Sequence, residues 1–166
     1  MCLGSIPGSS TDMLYLLLPV LLLHVPLPPL ERPATPTSIA VEKLPDVLTR
    51  AHEEEFGSRP SRDRLSMAVG QVRLEGLALP GKNLGGLEFE PGRPWVRVDR
   101  LTRLRAFETY LDAAKAYWRL MNERCRGALH AFGSGDPEAV VERLKACGYF
   151  HGSADWYVAG LRALRR

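Results

Sequence analysis

At 166 residues, 45% of them hydrophobic and 25% charged, the chain has the composition of an ordinary globular protein, with room for one good core and none for two full domains. Its formal net charge of +3 is mild. The stretch from Arg93 to Arg126, however, carries Arg93, Arg97, Arg100, Arg103, Arg105, Lys115, Arg119, Arg124 and Arg126 against Asp99, Glu108, Asp112 and Glu123. Such an excess attracts an anionic partner, and the attraction alone does not separate a carboxylated polymer from nucleic acid; a solvated basic face is the simpler reading.

The chain opens on an apolar run, MLYLLLPVLLL from Met13 to Leu23. It has signal-peptide length and falls short of the roughly 20 residues a membrane-spanning helix needs. No Lys or Arg precedes it, Asp12 is acidic and no clean small-x-small cleavage site follows. An uncleaved anchor reaching Leu30, or an apolar tail in contact with a membrane or an assembly partner, therefore stands beside the cleaved leader. Pro19, Pro26, Pro28, Pro29, Pro33 and Pro36 break any regular element here. Residues 1–36 are read as leader or anchor plus a Pro-rich linker, and residues 37–166 as the folded domain.

Thr37 or Ser38 is a suitable cap for a first helix running to about Phe56, with a restart at Pro45 and Gly57 as its stop. Ser61 caps a second helix in which Leu65, Ala68, Val72 and Glu75 recur at spacings of three, four and three, one stripe on one face. Gly76 ends it. The Gly-rich stretch to Gly86 reads as a loop, followed by a hairpin of Leu87–Glu90 and Trp95–Val98 joined through Pro91 to Pro94, with Leu104–Phe107 as a third strand. Helical periodicity returns with Phe107, Leu111, Ala114, Trp118 and Met121. Asp136 caps a further helix with Pro137 in its first turn, lined by Val140, Leu144 and Cys147 and stopped at Gly148. Ser153 starts the last helix, with Tyr157, Leu161 and Leu164 facing inward. Helices, a small β element and more helices make an α+β, mainly α, domain with the hairpin as a side lobe.

Of the three cysteines, Cys2 would leave with a cleaved leader, while Cys125 and Cys147 form either a disulfide in an exported domain or two buried thiols. His52, His130 and His151 show no ligand spacing, and neither a metal nor another cofactor is expected. Gly-x-Ser-x-Gly and recognisable Cys–His nucleophile contexts are absent from the sequence.

Glu75 stands out. A carboxylate on the apolar side of a helix, at its C-terminal end, meets both desolvation and the negative end of the helix dipole. Both raise its pKa, as a general acid requires. The plainer alternative is a half-exposed residue paired with Arg73 or Lys82. For a second carboxylate, Glu88 and Glu90 are the candidates, since strand alternation puts them on one face opposite Phe89. Among the aromatics, Trp118 and Tyr157 are expected in the core and Tyr117 against a sugar ring.

The stretch SMAVGQVRLEGLALPGKNLGGLEF resembles the catalytic helix and loop of bacterial and phage glucosaminidases of the flagellar-rod-hydrolase type. The matching elements are Gln71, Leu74 and Glu75, then Asn83, Leu84 and Gly85. LRAFETYLDAAKAYWRLM is similar to the family's strand and inner-Tyr helix, and GDPEAVVERLKACGYFHGSADWYVAGLRAL to its closing helices, so the likeness runs from about Ile39 onward. It implies a lysozyme-like fold, Glu75 as catalytic acid, Asn83, Gly85 and Tyr117 near substrate, and glycan strands of peptidoglycan as partner. It also implies an exported or phage-associated enzyme, hydrolase or lytic transglycosylase, with no role for nucleic acid. Where the family usually has Ser or Thr and then Gly after the acid, this chain has Gly76 and Leu77, with a shortened loop to Asn83. That departure favours the rival reading, a catalytically inactive wall-binding or structural module of the same fold.

Overall fold

Residues 39–76 and 79–165 are described by the structure, a computed structural model. The apolar leader, the linker and the caps expected at Thr37 or Ser38 lie outside the described residues, as does Leu77. The first helix, α1 (Leu44–Phe56), follows a 3-10 turn at Val41–Lys43. Pro45 sits in its first turn, where a missing N–H loses no helical bond, and Gly57 ends it at φ 68°.

The helix that ends in Glu75 is α2 (Arg62–Glu75), capped as expected by Ser61, whose Oγ accepts from the Arg64 amide at 3.2 Å. Leu65, Ala68, Val72 and Glu75 do share a side, but burial goes further. The run Met67, Ala68, Val69, Gly70, Gln71 and Val72 is buried without interruption, because α2 packs on α1, α4 and α6 together. A helix enclosed this way shows little amphipathic signal.

The β lobe departs from the expected pairing. Strands β1 (Trp95–Arg97) and β2 (Arg103–Arg105) are antiparallel, with Trp95 opposite Arg105 and Arg97 opposite Arg103. The Leu87–Glu90 segment does not pair with Trp95–Val98. It lies along the other edge of β2, through a bridge between Glu88 and Leu104 and bonds from the Phe89 amide to Arg103 O and the Arg105 amide to Leu87 O. The expected third strand is thus the central one. Its turn was hidden because Asp99 builds it with its side chain, accepting from the Leu101 and Thr102 amides.

Thr109 caps α3 (Tyr110–Glu123), so Phe107 precedes the helix instead of sharing its stripe. Ala114, Trp118 and Met121 are fully buried, and Trp118 Nε1 donates to Leu48 O at 2.9 Å, joining α3 to α1. A seven-residue helix, α4 (Arg126–Phe132), had no sequence expectation behind it. Then come α5 (Pro137–Ala146), capped by Asp136, and α6 (Ala154–Leu164), capped by Ser153. Cys125 and Cys147 form a disulfide that ties the start of α4 to the end of α5. The contact between α2 and α6 is so close that a Cβ on Gly160 would stand 2.5 Å from Leu74 Cδ1. The described domain is α+β and mainly α, its core filled from all six helices.

Candidate active site

Glu75 is the last residue of α2, and Gly76 turns the chain away at φ 106°. Burial pushes the Glu75 carboxyl above the usual carboxylate range, partly offset by the hydroxyl of Tyr157. That hydroxyl donates to Oε1 at 2.6 Å. Burial also holds the Tyr157 phenol well above its ordinary value, so it remains a donor. Neither Arg73 nor Lys82 takes the part the plainer alternative gave them: Arg73 donates to Leu164 O at 2.7 Å, and Lys82 reaches Glu108 O.

The loop beyond α2 folds back over the acid. A Cβ on Gly86 would lie 3.4 Å from Glu75 Oε2, so the loop backbone passes beside the oxygen that Tyr157 leaves free. Gly85, at φ 73°, sits on two aromatic side chains, with Tyr117 Cδ2 and Tyr149 Oη each 3.0 Å from where its Cβ would be. Tyr149 donates to Gly85 O. Asn83 sets the loop's shape from beneath: Oδ1 accepts from the Leu87 amide at 2.8 Å, and Nδ2 donates to Leu87 O at 2.8 Å and Arg105 O at 2.9 Å.

A cleft of about 270 Å³ opens between this loop, the β lobe and the α3–α5 side; Glu75, Gly85, Glu88, Glu90, Arg124 and Tyr149 are among its walls. The three carboxylates singled out in the sequence thus share one cleft. Their surroundings differ. Glu90 pairs with Arg105 at 2.9 Å and with Arg93 at 3.9 Å. Glu88 is exposed and forms no ion pair among the described residues.

Two expected contacts of substrate are corrected by burial. Tyr117 is 0% exposed, and its hydroxyl donates to Gln71 Oε1 at 2.5 Å, so its ring has no face to offer a sugar. Asn83 is equally buried, with both amide hydrogens and its oxygen engaged by backbone. Both shape the cleft floor. Two residues beside Glu75 and its loop carried no site expectation: Tyr157, expected in the core, and Tyr149. Tyr157 is indeed buried at 3% exposure, yet its hydroxyl meets a carboxylate 82 positions away in sequence, a pairing helical periodicity does not signal.

No protein-family model and no curated protein matches the chain in sequence. In fold it is similar to a peptidoglycan hydrolase from Sphingomonas sp. A1, with a TM-score of 0.54 at 18% identity over 76% of this chain and 91% of that one. A crystal structure of a peptidoglycan hydrolase mutant from the same organism gives 0.51 at 19%, over 75% and 94%.

Proposed function

We propose that the chain is a peptidoglycan hydrolase of lysozyme-like fold that cleaves a β-1,4 bond between amino sugars of the glycan strand, with Glu75 as general acid. The observation that carries this reading is the environment of Glu75: half-buried, raised in pKa by desolvation, and facing a cleft with an unpaired carboxylate on another wall. Because Tyr157 donates to Oε1, the acid's own proton belongs on Oε2, the oxygen beside the Gly86 backbone. From there it would pass to the leaving glycosidic oxygen. Glu88 is the better second carboxylate, free to stabilise the oxocarbenium-like transition state or to guide water, whereas Glu90 is neutralised by Arg105. The fold likeness to a peptidoglycan hydrolase supports the choice of substrate. The Cys125–Cys147 bridge supports an exported site of action, where disulfides persist.

The test is digestion of purified peptidoglycan, with released fragments identified by mass and reducing end. Glu75→Gln is expected to lower the rate by about 10²–10⁴, the usual worth of a positioned acid. Glu88→Gln should fall well below Glu90→Gln. Reducing-end identity names the bond, and anhydro ends mark a transglycosylase. Retention on sacculi with no fragments released by the folded wild-type chain would replace this reading with the wall-binding module.

A further inference from the structure

The β1–β2 hairpin holds five arginines between residues 93 and 105, namely Arg93, Arg97, Arg100, Arg103 and Arg105. Glu90 takes Arg93 and Arg105 as ion-pair partners. Arg97, Arg100 and Arg103 remain around the tip with no ion pair among the described residues. The acid between them, Asp99, is turned inward on the Leu101 and Thr102 amides and the Thr102 hydroxyl at 2.7–2.8 Å, which hold its carboxyl below the usual range. The same tip presents aliphatic side chains to water, with Leu101 95% and Val98 46% exposed.

The strand register orders these groups along the hairpin. The aliphatic tip comes first, then the rung of Arg97 opposite Arg103, then the rung of Trp95 opposite Arg105. Trp95 lies edge-on to Phe89 at 6.0 Å, and Arg103 stacks over both rings, 4.9 Å from Trp95 and 5.6 Å from Phe89. Two residues separate the rungs, roughly 7 Å of strand. An aliphatic end followed by cations suits a bilayer's acyl boundary and phosphate layer, and the aromatic pair under Arg103 is of the kind found at headgroup level.

We propose that the tip of this hairpin docks on an anionic lipid surface. A charged polymer in water would satisfy the arginines but offers no apolar phase for Leu101 and Val98; a lipid surface offers both. The base of the lobe, through Phe89, Glu90 and Arg105, lines the Glu75 cleft, so docking holds that cleft one hairpin length from the bilayer. The inference concerns binding only and stands apart from the chemistry assigned to Glu75.

The experiment uses the full chain with phosphatidylcholine vesicles, with and without phosphatidylglycerol. Phosphatidylglycerol should strengthen binding in a salt-sensitive way, and hydrogen exchange should show the amides of residues 98–102 protected on those vesicles. Each arginine near such a surface is worth about fivefold in affinity. Arg97→Ala with Arg100→Ala should therefore remove about 25-fold of the phosphatidylglycerol-dependent part, and Leu101→Asp should weaken binding on its own with the circular dichroism unchanged. Failure to respond to phosphatidylglycerol, or unprotected amides at 98–102 on vesicle-bound chain, would overturn the proposal. So would an arginine variant that keeps its vesicle affinity while losing retention on isolated sacculi or DNA, which would assign the surface to a polymer.

Discussion

Replacing Gly85 by alanine tests the architecture of the cleft floor, because two separable effects act in the same direction. At φ 73° the backbone is left-handed, which costs an L-residue roughly 1–2 kcal/mol. The new methyl would also stand 3.0 Å from the Tyr117 ring and 3.0 Å from the Tyr149 hydroxyl. Tyr117 is held by Gln71 and is wholly buried, so it has nowhere to retreat, and overpacking of this kind costs about 1–3 kcal/mol. Gly57→Ala isolates the first effect: φ is 68° there and nothing lies within 4 Å of the added Cβ. Urea denaturation should place Gly57→Ala about 1–2 kcal/mol below wild type and Gly85→Ala about 2–5 kcal/mol below, with equal slopes. Equal losses for the two variants would refute the packing of the loop on Tyr117 and Tyr149.

Three further outcomes are expected. Glu75 has its folded-state pKa raised by burial, so the stability it confers is fully present below its unfolded value near 4.5 and is lost as pH rises through the folded value; Glu75→Gln should match wild type in thermal melts at pH 4 and exceed it at pH 7. Asn83→Ala would strand the Leu87 amide and the Arg105 carbonyl and remove a second donor from Leu87 O, which keeps the Arg105 amide, and chemical denaturation should register a loss of about 2–4 kcal/mol. Reducing Cys125–Cys147, which closes a segment with a sequence separation of 22, should lower stability by about 3 kcal/mol in the loop-entropy account, read by comparing melts with and without a thiol reductant.

Much of the helical frame was legible because its signals are local. Ser61, Asp136 and Ser153 cap where their side chains predict, and Gly57, Gly76 and Gly148 stop helices where positive φ is needed. Glu75 was legible for the same reason, as a carboxylate continuing an apolar stripe to a helix end. The partner of Leu87–Glu90 was not. Alternation identifies strand-like segments but not their neighbours, and a proline-glycine connection at Pro91 to Pro94 looked more turn-like than Asp99 to Thr102. Helix α4 escaped because seven residues give fewer than two turns of periodicity. Tyr117 and Asn83 were misjudged because residue type and order carry no information on depth: each carries groups suited to a sugar, and each uses them on the protein itself.

The uninterrupted burial of α2 has a consequence for how such a protein would fail. Heat and denaturant first loosen the parts with exposed backbone and few buried neighbours, and Glu75 ends a helix packed on three others. The carboxylate's position should therefore survive until the whole domain melts, while the opposite wall, Glu88 to Glu90, can open beforehand. Any loss of the cleft that precedes unfolding would then be a loss of the second wall with Glu75 still in place, and a ligand spanning the cleft would protect the β-lobe amides far more than those of α2.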